Sequence, residues 1–107
     1  MNQDFSVNIE KNKECTTILC NGDIDLNSIQ PLQKMFSSIQ KNEKTILNLT
    51  NATFIDSAGL GIIAKHAKIY KENNNPLQIN CLENYVYKVF KLSNLEDTIL
   101  NISITKL

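Results

Sequence analysis

The sequence predicts an α/β fold: a single-domain mixed β-sheet of four to five strands, entered by an N-terminal antiparallel hairpin, with amphipathic helices packed on it. Three observations predict this. Apolar and polar residues alternate near the N-terminus, which is the period of a half-buried strand. From residue 27 onward, segments of helical spacing alternate with short apolar runs, the order that favours parallel strands joined by helices. Polar or proline-containing breakers fall between these segments rather than within them.

Phe5, Val7 and Ile9 alternate with Ser6, Asn8 and Glu10, and Lys11 to Glu14 form a polar turn. The second strand spans Cys15 to Asn21, and the hairpin ends at Gly22-Asp23-Ile24-Asp25. Ile29, Leu32, Met35, Phe36 and Ile39 then recur at helical spacing, with Asn27 or Ser28 as the N-cap. Thr45 to Thr50 is short, apolar and bounded by polar segments, as a buried central strand requires. Leu60, Ile63, Ala64, Ala67 and Tyr70 mark one face of a second helix, with Lys65, Lys68, Lys71 and Glu72 on its wet side. That helix must stop at Asn73-Asn74-Asn75-Pro76. Leu77 to Leu82 reads as a strand, and Tyr85, Val86, Val89 and Phe90 as a third helix capped at Asn84. Thr98 to Ile104 alternates again and is expected to form a late edge strand.

Size and charge narrow the functional classes. The 107 residues form one domain, 1–107, able to bury roughly 65% of its unfolded surface without metal or disulfide staples. Eleven basic residues balance eleven acidic ones, so no net charge draws the chain to nucleic acid or to a membrane surface. Cys15, Cys20 and Cys81 lack the paired spacing of a zinc or redox site and read as plain thiols. Met1 to Asp4 carry no basic segment leading into an apolar run, and no stretch approaches the length of a membrane span. The expected location is cytoplasmic, with no membrane insertion.

Two of the three glycines lie in Ile55-Asp56-Ser57-Ala58-Gly59-Leu60-Gly61, where a strand pattern gives way to a helix pattern. Such a run sets a hydroxyl beside a carboxylate at a helix mouth, where unpaired N–H groups and the helix dipole favour added negative charge. Asp56 or Ser57 would cap the helix, and a capping serine can also accept phosphate. Gly59 and Gly61 lower helix propensity by about 1 kcal/mol each relative to alanine, which points to close approach of another backbone.

Three rival readings compete for these residues. Gly59-x-Gly61-x-x-Ala64 matches the dinucleotide fingerprint in form, with Glu83 near the position of a ribose-binding acid. A polar stretch from Thr50 to Thr53, followed by Phe54 to Ala58, separates its glycines from the strand, whereas a true fingerprint needs them immediately after it. A hydrolase would need His66, the only histidine, which lies nine residues past Ser57 near the opposite side of the helix and is expected at the surface. Asp23, Asp25 and Asp56 do not form a calcium-type loop, and turn or capping duties account for Asp23 or Asp25.

The sequence resembles the STAS domain family, in particular the bacterial anti-sigma-factor antagonists, over nearly its whole length. Gly22-Asp23-Ile24-Asp25 is similar to the family's G-x-[LI]-D, and Ile46-Leu47-Asn48-Leu49-Thr50 to its central strand. Ile55 to Gly61 is similar to its D-S-[STA]-G-[LI] signature, in which the serine is phosphorylated. Asn94-Leu95 stands where the family often has Gly-Leu, and asparagine tolerates the left-handed cap next best. The chain also stops at Leu107, where many relatives continue into another helix.

The resemblance implies a partner switch that catalyses nothing itself. The unphosphorylated domain would bind a GHKL-type anti-sigma-factor serine kinase, the kinase would phosphorylate Ser57, and a PP2C-type phosphatase would reset it. ATP and Mg²⁺ would belong to the kinase, so the domain itself needs no cofactor. The contact surface implied is Asp23, Asp25, Asp56, Ala58, Gly59, Leu60 and Gly61. The alternatives are an unphosphorylated scaffold or regulatory subunit in a stress-sensing or lipid-transport complex and, more remotely, a dinucleotide-binding domain.

Overall fold

The computed structural model describes residues 4–82, 85–93 and 103–107. Its elements are β1 (Ser6–Lys11), β2 (Thr16–Ile24), a 3₁₀ turn (Leu26–Ser28), α1 (Ile29–Ser37), β3 (Thr45–Ile55), α2 (Ser57–Glu72), β4 (Gln78–Cys81), α3 (Tyr85–Ser93) and β5 (Ser103–Lys106). Five strands form one sheet in the order β1-β2-β3-β4-β5. The β1–β2 pair is antiparallel and every later pair is parallel. This is the mixed sheet entered by a hairpin that the alternation predicts.

Register divides the sheet into unlike faces. Val7 pairs with Cys20, Ile9 with Ile18, Ile18 with Leu47 and Leu47 with Ile79, which sets one apolar row across four strands. Val86 and Phe90 of α3, Ile63 and Tyr70 of α2, and Leu32 and Phe36 of α1 join that row in one buried cluster. The opposite face carries Asn8, Thr17, Asn48, Gln78 and Asn80 with half-buried Leu19 and Ile46 among them, a mixed and mainly polar surface. Successive parallel strands added in one direction with right-handed crossovers bring their helices to one side, in keeping with this asymmetry.

Several boundaries differ from expectation. β2 runs three residues past Asn21, through Gly22 and Asp23 to Ile24. Gly22 takes a left-handed φ of 85°, and the β2–β3 register shifts between Gly22 and Asp23. A bulge thus lets the strand continue where a turn was expected. β3 likewise continues beyond Thr50 to Ile55, so the polar stretch Thr50 to Thr53 is strand and not a break. β4 is shorter than Leu77 to Leu82 by one residue at each end. The late strand is Ser103–Lys106, and residues 98–102 of the predicted segment lie outside the described residues. The predicted cap at Asn84, the acid at Glu83 and the turn at Asn94 also lie outside them.

The first helix is capped differently from the prediction. Ser28 occupies the N-cap position of α1 but makes no side-chain cap bond there. Its hydroxyl instead donates to the Asp23 carbonyl at 2.8 Å and accepts the Asp25 N–H at 3.1 Å. The capping carboxylate is that of Asp25, which accepts the Asn27 N–H at 2.9 Å and starts the 3₁₀ turn.

Candidate functional site: the carboxy-terminal edge of the sheet

A single residue, Asp56, joins β3 to α2. Its backbone is extended, with φ −109° and ψ −176°, and its carboxylate accepts the Gly59 N–H at 2.9 Å. Its carbonyl accepts the Leu60 N–H at 2.9 Å, the first bond of the helix ladder. Asp56 is therefore the N-cap. Ser57 is the first helical residue, exposed to solvent. With the Gly59 and Leu60 N–H groups engaged, those of Ser57 and Ala58 are the two at this helix mouth without an acceptor inside the helix. The Ser57 hydroxyl stands beside them.

What holds this corner in place is Ile24, at the end of the neighbouring strand. Its carbonyl accepts the Asp56 N–H at 3.2 Å. A Cβ added at Gly59 would lie 2.3 Å from the same carbonyl oxygen and 2.8 Å from the Ile24 side chain. No side chain fits, so Gly59 is a condition of packing α2 on β2. The close approach of another backbone expected at Gly59 is found, and the backbone that approaches is the domain's own. Gly61 is the opposite case, exposed, with open space to 4 Å around the place a Cβ would take.

The two glycine-containing motifs meet here. Ile24 pairs with Ile55, so Asp25 and Asp56 follow directly from adjacent strand ends. Asp23 is buried, and its carboxylate accepts the Thr53 hydroxyl at 2.7 Å across the bulge. It supports the edge from within, while Asp25, Ala58 and Leu60 are half-buried and Leu60 packs against the core. Sequence reasoning missed Ile24 and Thr53. Ile24 acts through its carbonyl, which any residue carries, so no side-chain signal could have found it.

The corner also redraws the rival sites. β3 reaches almost to the helix, but the connection holds Asp56 and no glycine; Gly59 is spent on Ile24 and Gly61 points to solvent. No glycine loop surrounds a space for a pyrophosphate. His66 is buried, 3% exposed, not a surface residue as expected. Its ring stacks on Phe36 at 4.4 Å between centroids, and Nε2 lies 3.1 Å from the Gln33 side-chain oxygen. Burial, with the Lys41 and Lys65 charges nearby, pushes its pKa down to about 4. It is a core histidine. Burial also pushes the Cys20 and Cys81 thiols up to about 12, keeping both protonated. Among the described residues no three His, Cys, Asp or Glu side chains gather as metal ligands, and no helix is long and apolar enough to cross a membrane.

Comparison with known proteins gives a consistent picture. The STAS domain pattern matches residues 6–106. The chain is 23% identical over 78 residues to the anti-sigma-B factor antagonist of Staphylococcus aureus strain NCTC 8325, covering 71% of this chain and 72% of that protein. Among solved structures, an anti-sigma factor antagonist from Mycobacterium paratuberculosis superposes with a TM-score of 0.82 at 14% identity, over 97% of this chain and 87% of that one. SpoIIAA in its unphosphorylated form gives 0.75 at 19% identity, over 95% and 88%. The Bacillus cell fate determinant SpoIIAA in its phosphorylated form gives 0.71 at 18%, over 95% and 91%. At such identities the structural likeness is one of fold, whereas the family pattern spans the sheet, all three helices and the Asp56-Ser57 corner. The chain belongs to the STAS domain family.

Proposed function

We propose that this domain is an anti-sigma-factor antagonist whose binding to an anti-sigma serine kinase is switched by phosphorylation of Ser57. One observation carries the reading: an exposed serine at the first position of α2, next to a capping aspartate, on a corner clamped by Ile24. The names of the relatives support it, as does a fold shared with SpoIIAA in both phosphorylation states. The kinase brings ATP and Mg²⁺; its γ-phosphoryl group passes to the Ser57 oxygen, ADP leaves, and the hydroxyl proton goes to a base on the kinase. A PP2C-type phosphatase reverses the modification by hydrolysis.

The switch needs no change of fold. Phosphate adds about −1.5 to −2 charges beside Asp56, at a helix mouth whose dipole tolerates them. The same charge buried against a partner without a counter-charge costs about 2–5 kcal/mol. At about 1.4 kcal/mol per decade, affinity falls roughly 30-fold to several thousand-fold. That range is sufficient for partners to exchange.

The test is calorimetric titration of the source organism's purified anti-sigma serine kinase with wild type, Ser57→Ala and Ser57→Asp. Ser57→Ala should bind like the unphosphorylated protein and resist phosphorylation, and Ser57→Asp should bind far more weakly, with both melting near wild type. Equal affinity for wild type and Ser57→Asp would defeat the charge mechanism. A persistent lack of phosphate on Ser57 in protein taken from native cells would favour the scaffold reading instead.

A further inference from the structure

Beside Ser57 the edge carries an apolar surface that the switch leaves unused. Phe54 lies three residues before Ser57 in β3 and is 38% exposed; Tyr85, the first residue of α3, is 51% exposed. Their rings stack 5.3 Å apart and only 3° from parallel. Leu82, just beyond β4, is exposed on the same edge, and Leu26 follows β2 on the other side of the Asp56 corner. Four of the six large exposed apolar side chains among the described residues thus sit at strand ends, helix starts or the turns between them, along the edge that carries Ser57. Scattered exposed apolar residues need no explanation, but a cluster confined to one edge does.

We infer that the Phe54–Tyr85 stack is a fixed apolar anchor that docks an aliphatic side chain of the same anti-sigma partner that meets Ser57. The inference rests on the partner-switch reading and adds a second, charge-independent half to its interface. Continuity with the proposed Ser57 interface argues for that occupant, because β3 carries Phe54 into the same corner from which α2 starts at Ser57. The stack also suits an anchor physically. Each ring holds the other in place, so little side-chain freedom remains to be lost on binding, and tyrosine is among the residues that dominate interface energetics. Phosphate on Ser57 would repel the partner without disturbing this contact, leaving the released state a residual affinity set by the aromatic pair.

Titrations of the same kinase with Tyr85→Ala, Phe54→Ala and Tyr85→Phe test the anchor, each in the wild-type and Ser57→Asp backgrounds. Tyr85→Ala should weaken binding about 10- to 30-fold, by a similar factor in both backgrounds and at low and high salt. Phe54→Ala should do the same, and Tyr85→Phe should bind like wild type because the ring and not the hydroxyl makes the contact. Unchanged affinity for both alanine variants would overturn the anchor while the Ser57 switch stood; failure of wild type to bind the kinase at all would overturn both. A loss with Tyr85→Phe equal to that with Tyr85→Ala would also overturn it, since the contact would then be polar. Unaltered kinase binding with a change in sedimentation would assign the surface to a second copy of the chain and overturn the inference likewise.

Discussion

The two faces of α2 are built from one sixteen-residue sequence under different constraints. Gly59, Ile62, Ile63, His66, Ala67 and Tyr70 face inward and are buried, whereas Ser57, Gly61, Lys65 and Lys68 face water. Gly59 and Gly61 make the contrast sharpest, being two residues apart and identical in chemistry. At Gly59 the fold demands the absence of a side chain, because the Ile24 carbonyl occupies that space. At Gly61 the fold demands nothing and gives up helix propensity. On the proposed partner-switch reading, a residue that the packing does not require, one turn from an exposed serine, is free to serve what binds there.

The comparison can be broken most severely at Gly59. Gly59→Ala forces a Cβ into a backbone oxygen, so either α2 shifts or the corner opens; we expect a loss of about 3 kcal/mol or more in denaturant unfolding. A change under about 1 kcal/mol would show that the Ile24 contact is slack.

The inward face should also make stability depend on acid. The folded pKa of His66, about 4, lies below its ordinary 6.5, so the unfolded chain binds the proton more readily. The stabilisation is fully present above about pH 6.5 and is lost as pH falls through that value toward 4, by about 1–3 kcal/mol in total. His66→Leu should flatten urea-unfolding free energies across that window, and a retained slope would place the effect elsewhere.

The smallest effect should come from the outward face. Gly61→Ala is expected to stabilise the domain by about 0.5–1 kcal/mol, because the helix gains propensity and no neighbour is struck. If the outer glycine serves the partner, the same variant should bind the kinase more weakly despite its greater stability. Unimpaired binding would reduce Gly61 to a neutral residue.

Much of this molecule is legible in its sequence. The alternation of Val7 and Ile9, the helical spacing from Ile29 to Phe36 and the asparagine–proline stop after α2 all state their structure locally, and the elements form as expected. Sequence and structure part where a strand continues through polar residues. Gly22-Asp23 and Thr50 to Thr53 look like breaks because their side chains are polar or absent, yet a bulge and a Thr53–Asp23 hydrogen bond carry both strands onward together. His66 departs from expectation for a related reason: an imidazole reads as polar until Phe36 stacks on it and Gln33 meets Nε2.

The sequence alone determined the order of the elements, the single sheet and the choice of Ser57 at a helix mouth beside Asp56, because periodicity and capping chemistry act between near neighbours in the chain. Only the tertiary structure separated the two glycines, buried His66 and brought Phe54 against Tyr85. Those outcomes depend on backbone carbonyls and ring faces from distant segments, which leave no mark in residue type until the sheet brings them together.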